Sequence, residues 1–216
     1  MASEVYAAAF FDYDGVIVDS ARLKAQAFVD CLPDEPAPAR SAILEYCTQH
    51  GGVSRFAKFR HIYAHILGRP LSEDTLDALC RRYSAIVVEQ VQQAPFIAGA
   101  VELLRAIHAA TDCYVVSGTP EVEVRGSVIR RGLAAFFKDV LGSPTPKSEL
   151  TAGLVRRCGV PADRIVFLGD SITDYEAARD AGIAFLGVAP PHDRGSLPAH
   201  VDVADHLMFY RSRFTA

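Results

Sequence analysis

Hydrophobic residues along the chain form short unbroken runs separated by longer amphipathic segments. Residues 6–11 are all apolar, and the run stops at Asp12. A continuous run of this length predicts a strand that is buried on both faces, as in a parallel sheet. Later runs predict further strands at residues 113–116, 165–168 and 183–188, with a short edge strand at 201–204.

Helical periodicity is concentrated in one part of the chain. Residues 19–95 show helical patterns and no convincing strand, whereas strands and helices alternate from Gly99 onward. Ser72 is a favourable helix start, and Thr173 is expected to cap a later helix that ends at Gly182. The alternation of strands and helices is typical of a parallel sheet.

These patterns predict an α/β fold with two parts. A Rossmann-like parallel sheet core would comprise residues 1–17 and 97–216, and an all-helical domain at 18–96 would be inserted into it. The chain crosses between the two parts near residues 17–20 and 94–99. Two crossings of this kind would form a hinge that opens and closes over a ligand.

Composition and charge favour small-molecule partners. Half of the 216 residues are hydrophobic, the formal net charge is -4, and the pI is near 6.0, so no basic face is offered to nucleic acid or an anionic membrane. The five cysteines are odd in number and widely spread, which indicates neither a disulfide framework nor a zinc site. No signal peptide or membrane span is recognisable, and we expect a cytoplasmic monomer or homodimer.

Two aspartates follow the first predicted strand. Asp12 and Asp14 would project beyond its carboxyl end, where open α/β sheets bind their ligands. A carboxylate such as that of Asp12 can attack phosphorus, and a second acid at Asp14 can protonate the leaving oxygen and later deprotonate water. The same residues are also common in turns and at helix starts, so a purely structural role remains open for this pair.

Phosphate-binding candidates follow the second predicted strand and open a later helix. The Ser117 hydroxyl and the backbone N–H groups of Gly118 and Thr119 can hold phosphoryl oxygens, although Thr119 before Pro120 also suits a simple helix N-cap. Lys147 opens a predicted helix, where a cation is unfavourable unless an anion lies nearby. A phosphate would supply that anion, and a solvated lysine is the alternative.

Asp170 and Asp174 follow another buried strand and would lie at the same sheet edge as Asp12. Three carboxylates there would repel one another and raise their own pKa values unless a cation intervenes. Mg²⁺ suits such a site because it binds carboxylate and phosphate oxygens together. The alternative for Asp174 is a first-turn acid that complements the helix dipole.

In this order, these residues resemble the four motifs of the haloacid dehalogenase superfamily, and the resemblance covers nearly the whole chain. It implies that Asp12 is phosphorylated and that Asp14 is the acid and base. It also implies that Ser117 and Lys147 bind phosphate. The Mg²⁺ ligands would be Asp12, the Asp14 carbonyl and Asp170. Asp174 would be either a further ligand or a residue that contacts one of the ligands. The helical insert looks like the small cap of the superfamily's first cap class.

The resemblance also narrows the reaction. Family members that cleave carbon–halogen bonds lack an aspartate at the position of Asp14, so phosphate transfer is favoured here. The pair Gly169 and Asp170 looks like the phosphatase form of the last motif. We therefore expect an Mg²⁺-dependent phosphatase that hydrolyses a small phosphorylated metabolite through an aspartyl-phosphate intermediate.

The substrate would be selected by the cap. The stretch from Gly52 to Arg55 is similar to the cap loop of β-phosphoglucomutase, so a sugar phosphate is favoured, with Arg55 and the nearby Lys58 contacting its distal groups. A solvated arginine at a helix start is the alternative. A phosphosugar mutase on the same scaffold and a non-catalytic phosphate-binding or regulatory module remain alternative functions.

Overall fold

The computed structural model of the protein describes residues 5–190 and 194–214. Its sheet has six strands in the order β3-β2-β1-β4-β5-β6, and all neighbouring pairs are parallel. The strands are β1 Ala8–Phe11, β2 Asp112–Pro120, β3 Asp139–Ser143, β4 Ile165–Gly169, β5 Ala184–Val188 and β6 Val203–Ala204. The predicted α/β fold with a parallel sheet is confirmed.

Burial on both faces explains the continuous apolar run of β1. Ala8 and Phe10 face one hydrophobic cluster, while Ala9 and Phe11 face the other, and all four side chains are fully buried. In a parallel sheet the crossover helices cover both faces, so no position of a central strand needs a polar side chain. The first polar residue, Asp12, therefore marks the end of the strand.

The structure corrects the sequence prediction at two strands. β2 does not end at residue 116 but continues to Pro120, with a shift in its register against β3 between Val116 and Pro120. Ser117, Gly118 and Thr119 therefore lie in the end of a strand and not at a helix start. β3 was not predicted, because its short apolar part is only Val140 and Leu141 before Gly142.

Five α-helices lie between β1 and β2 in the chain, and we call the first four of them the helical insert. They are α1 Ala21–Asp30, α2 Ala37–Gln49, α3 Arg55–His61 and α4 Glu73–Gln93, with a π-helical turn Ile62–Ile66 after α3. The Ser72 side chain accepts a hydrogen bond from the Thr75 N–H and caps α4, as predicted. The proposed limits of a separate domain at residues 18–96 stay a prediction.

The remaining helices pack on the sheet, and we call this part the core. They are α5 Ala100–Ile107, α6 Glu121–Arg130, α7 Lys147–Arg157 and α8 Ile172–Asp180, with 3₁₀ turns at Ala134–Phe136, Ala162–Arg164 and Leu207–Arg213. Ser171, and not Thr173, caps α8 through a reciprocal capping box with Asp174. Gly182 follows α8 with a φ of 69°, as its predicted role at the helix end requires.

The two chain crossings between the core and the insert pair with each other. The Asp19 N–H donates to the Pro95 carbonyl, and the Ile97 N–H donates to the Ile17 carbonyl, both at 2.9–3.0 Å. This short antiparallel contact places both crossings side by side, and their action as a hinge stays a prediction. Among the described residues, no helix combines the length and apolar character needed to cross a membrane.

Candidate active site

Asp12 lies at the carboxyl edge of the sheet, one residue beyond β1. Its N–H donates to the Leu168 carbonyl at 2.9 Å, so the backbone continues the pairing with β4. The carboxylate is 2% exposed. One of its oxygens accepts the Tyr13 N–H at 2.7 Å, and the other lies 3.0 Å from the Lys147 Nζ. The candidate nucleophile is thus held by a strand end and an ammonium group.

Two further carboxylates converge on Asp12. Single oxygens of Asp12, Asp170 and Asp174 all lie within 4.8 Å of one another. Gly15 permits the close approach of Asp170, because a Cβ at this glycine would stand 2.0 Å from Asp170 Oδ2 and its φ is 89°. The structure therefore brings together the three acids that the sequence placed at one sheet edge.

The carboxylates of Asp12, Asp170 and Asp174 form what we call the acidic group. Lys147 begins α7, and its side chain points into this group. Its Nζ lies 3.0 Å from Asp12 Oδ2 and 2.5 Å from Asp174 Oδ1. Burial by itself lowers the pKa of a lysine, but the two carboxylates outweigh burial and raise the pKa of Lys147 above its ordinary value. The anion expected beside this helix-opening lysine is present, and within the described structure it is supplied by protein carboxylates.

The acidic group carries more negative than positive charge. Burial, opposed by Lys147, raises the pKa of Asp12 to about 7, and the neighbouring charges of Asp174 and Asp14 add to the rise. Burial and the charges of Asp12 and Asp174 raise the pKa of Asp170 well above its usual range. Its carboxylate also receives no hydrogen bond from any described residue. These oxygen donors fit Mg²⁺, which binds hard carboxylate ligands and would offset their repulsion.

Asp14 contacts a different set of residues from the other three acids. Its Oδ1 accepts the Ser20 hydroxyl at 2.6 Å, and its Oδ2 accepts Lys24 Nζ at 2.6 Å and the Thr119 hydroxyl at 2.8 Å. Burial alone would raise the pKa of Asp14, but the Lys24 charge and these hydrogen bonds hold it below its ordinary value. The side chain is outside the carboxylate group described above, and the metal contact predicted for the Asp14 carbonyl stays a prediction.

Lys24 and Ser20 are functional candidates that the sequence analysis missed. Ser20 occupies the N-cap position of α1, but its hydroxyl makes no cap and instead donates to Asp14. Lys24 lies four residues later, on the same helix face as Ser20. That spacing was visible in the sequence, yet nothing in the sequence showed that this face turns toward Asp14.

Ser117 and Thr119 form a small polar network at the end of β2. The Ser117 hydroxyl accepts the Thr119 N–H at 3.1 Å, and the Thr119 hydroxyl donates to Asp14. The alternative that Thr119 simply caps the next helix is wrong, because Pro120 occupies the N-cap position of α6 and no side chain caps it. The phosphate-binding role of Ser117, Gly118 and Thr119 stays a prediction.

The loop between α2 and α3 lies directly against the core. The Thr173 hydroxyl donates to the Gly51 carbonyl at 2.9 Å, and a Cβ at Gly118 would stand 2.1 Å from the Gly52 carbonyl. A Cβ at Gly52 would also stand 3.1 Å from Lys147 Nζ. The insert therefore covers the acidic group in this structure, and the two glycines allow its backbone to come this close.

Arg55 is placed differently from the sequence expectation. It is 5% exposed, and its guanidinium makes a two-pronged ion pair with Glu123 of α6, at 2.9 Å and 2.5 Å. Ser84 accepts a further hydrogen bond, and the guanidinium lies 4.7 Å from the centre of the Tyr83 ring. In this conformation Arg55 joins the insert to the core, and it is not a solvated residue. Contact with a substrate stays a prediction.

Comparison with known proteins identifies the family of this fold and site. A model of the haloacid dehalogenase-like hydrolases matches residues 6–182. The chain belongs to this family. It is 30% identical over 197 residues to a phosphoglycolate phosphatase of Rhodospirillum rubrum, covering 87% of this chain and 81% of the relative. It is 27% identical over 187 residues to the probable phosphatase IndB of Dickeya dadantii, covering 82% and 79%.

The fold comparison agrees with the family assignment. The structure resembles that of YfnB from Bacillus subtilis, described as a HAD-hydrolase bound to magnesium that reveals interdomain movement, with a TM-score of 0.72 and 19% identity. The match covers 99% of this chain and 100% of that one. The family and the enzyme class predicted for this haloacid dehalogenase-like hydrolase, a phosphatase that acts on phosphoric monoesters, are confirmed.

Proposed function

We propose that this hydrolase is an Mg²⁺-dependent phosphatase that cleaves a small phosphomonoester through an aspartyl phosphate on Asp12. One observation carries the proposal: the carboxylates of Asp12, Asp170 and Asp174 and the ammonium of Lys147 meet at one sheet edge. A carboxylate nucleophile, a divalent ion and a fixed cation are the groups that phosphoryl transfer requires.

The metal would be held by Asp12, Asp170, Asp174 and the backbone carbonyl of Asp14. When bound, Mg²⁺ supplies positive charge to the phosphoryl oxygens and to the attacking carboxylate. Lys147 supplies a second positive charge beside Asp12. The Ser117 hydroxyl and the N–H groups of Gly118 and Thr119 would bind the remaining phosphoryl oxygens.

The reaction would proceed in two displacements. In the first, an Asp12 oxygen bonds to phosphorus, the ester P–O bond breaks, and Asp14 gives its proton to the departing oxygen. In the second, Asp14 takes a proton from water, which attacks the phosphorus and releases phosphate and Asp12. The Lys24 contact favours the ionised Asp14 needed in the second step, so the first step requires that this contact be released.

The structure leaves too little space beside Asp14 for an ester while the insert covers the core. The cavity beside Asp14, lined by Tyr13, Lys24, Val87 and Val91 among others, has a volume of about 20 Å³ while the insert covers the core. That is roughly the space of one water molecule, so the insert must move to admit the ester. The sugar phosphate suggested by the sequence stays a candidate, and the relatives' names make phosphoglycolate the other substrate to test.

A mutase is the second candidate, supported only by the similarity of the loop that ends at Arg55. A mutase must bind the second phosphate group of its bisphosphate intermediate while that intermediate reorients in the site. Arg55 is the residue expected to bind this phosphate. In this structure both terminal nitrogens of the Arg55 guanidinium donate hydrogen bonds to Glu123. Phosphate release measured together with a coupled isomerisation assay separates hydrolysis from mutase activity.

Phosphate release from sugar phosphates, phosphoglycolate and nucleotides, with and without a chelator, tests the proposal. Asp12→Asn should abolish turnover while circular dichroism shows an unchanged fold, and full residual activity would overturn the nucleophile assignment. Asp14→Asn should slow ester cleavage by about 10²–10⁴-fold. A wild-type protein that releases no phosphate from any ester with Mg²⁺ would support the non-catalytic alternative instead.

A further inference from the structure

Three positively charged side chains of the helical insert are largely buried. Two of them form ion pairs with carboxylates that lie outside the insert. Lys24 pairs with Asp14 at 2.6 Å, and Arg55 pairs with Glu123. Lys58, which is 6% exposed, makes no ion pair with any described residue. The sequence analysis placed it beside Arg55 as a second contact to the distal groups of a substrate.

The local partners of Lys58 do not neutralise it. Its Nζ donates to the Cys47 carbonyl at 3.1 Å, in the last turn of α2, and lies 5.2 Å from the centre of the Phe28 ring. An ammonium group has three donors, and a carbonyl and an aromatic face supply no counter-charge. A buried ammonium without a counter-ion is costly, and such groups are concentrated at functional sites.

Lys58 also lies near the catalytic groups. It belongs to α3, the helix that follows the loop whose Gly52 approaches Lys147. Burial lowers the pKa of Lys58 to about 8, and the charges of Lys24, Asp170 and Asp14 act on it as well. The ammonium is therefore within electrostatic range of the acids that would process the ester.

We infer that Lys58 selects substrates whose leaving group carries a carboxylate, so that the ester cleaved is the phosphate of a small hydroxy acid. A hydroxyl group could take a hydrogen bond from Lys58 but would leave its charge unbalanced, whereas a carboxylate supplies both the acceptor and the counter-charge. This inference rests on the proposed phosphatase function and names its substrate class. The structural alternative is that Lys58 only caps the C-terminal end of α2.

A matched pair of esters tests the inference. Phosphoglycolate carries the carboxylate, and 2-hydroxyethyl phosphate has the same carbon chain without it. We expect the wild type to prefer phosphoglycolate in kcat/KM by about tenfold or more, since a lost charged hydrogen bond commonly costs a factor of this size. Lys58→Met should reduce this preference to near unity, mainly through KM for phosphoglycolate, and Lys58→Arg should retain part of it.

Lys138→Met is the matched control, because this lysine is exposed and its ammonium lies 3.5 Å from Asp112, at the opposite end of the strands from Asp12. It should change neither substrate. A purely structural Lys58 would lower the rates for both esters alike and leave their ratio unchanged, and that result would overturn the inference. A wild type that shows no preference would overturn it too.

Binding measured without turnover separates the inference from the proposed function. In the Asp12→Asn background, calorimetric titration should show tighter binding of phosphoglycolate than of 2-hydroxyethyl phosphate, and the additional Lys58→Met change should remove the difference. If the wild type releases no phosphate but this pattern is found, the hydrolase proposal fails and the Lys58 inference stands. If phosphate is released but Lys58→Met leaves both affinities unchanged, the Lys58 inference alone fails.

Discussion

Replacing Lys58 by methionine should make the protein more stable at neutral pH. The pKa of Lys58 falls from 10.5 to about 8, first because of burial. A difference of about 2.5, at about 1.36 kcal/mol for each pKa unit, means that the charged lysine destabilises the folded state by about 3 kcal/mol below pH 8. Methionine keeps most of the aliphatic stem and removes the charge, at the cost of the hydrogen bond to Cys47, which contributes about 1 kcal/mol. The expected net gain is about 2 kcal/mol.

The sign of the pH dependence follows from the two pKa values. Between pH 8 and 10.5 the unfolded chain keeps the Lys58 proton while the folded protein has lost it, so the wild type gains stability as the pH rises through this range. Lys58→Met lacks this proton, so its advantage should shrink as the pH rises, reach zero below pH 10.5, and then reverse by about the 1 kcal/mol that the lost Cys47 hydrogen bond contributes. Groups that do not interact with Lys58 titrate equally in both proteins and cancel from the difference. The Cys47 thiol does not cancel, because burial raises its pKa and the Lys58 charge opposes that rise.

Urea denaturation of both proteins at pH 7 and pH 10 measures the effect. Lys138→Met, which removes an ammonium that is 64% exposed, should stay within about 0.5 kcal/mol of the wild type at both pH values. A Lys58→Met protein that is less stable than the wild type at pH 7 would refute the reasoning. So would a stability difference that is the same at both pH values.

Three other expectations follow from the contacts of the site. Gly52→Ala would place a methyl group 2.2 Å from Thr173 Oγ1 at a φ of 76°, so kcat/KM should fall about tenfold to a hundredfold. Gly68→Ala, at a φ of 62° with no described atom within 4 Å, should lower stability but not activity, and equal activity losses would contradict the closure argument. Glu123→Gln should lower the free energy of unfolding by about 1–3 kcal/mol in urea, against less than about 0.5 kcal/mol for Glu121→Gln, whose ion pair is 41% exposed on both sides. Removal of divalent ions with EDTA should abolish phosphate release and added Mg²⁺ restore it, whereas release in EDTA would contradict the metal assignment.

The parallel sheet was predictable because its strands carry their own signals. β1 and β4 are continuous apolar runs, and each ends where a carboxylate residue follows. The end of β2 was not predictable in this way, because Ser117, Gly118 and Thr119 extend the strand only through a shifted pairing with β3. A strand that depends on its neighbour has no local hydrophobic pattern to reveal it.

The site was predictable to the extent that its residues follow strand ends. Parallel strands deliver Asp12 and Asp170 to one edge, so their proximity follows from the topology. Arg55 and Lys24 belong to the insert, and their partners depend on how the insert packs on the core. Sequence patterns describe a helix face but not the surface that it meets.

The sequence by itself determined the α/β alternation, the helical segment after β1 and the order of the residues that belong to the family motifs, because buried strands and helix ends are encoded by neighbouring residues. Only the tertiary structure decided that Lys24 contacts Asp14, that Arg55 contacts Glu123, and that Lys58 is buried without a carboxylate partner among the described residues. Each of these depends on tertiary packing, because a charge acquires its partner and its degree of burial only when the insert has packed against the core.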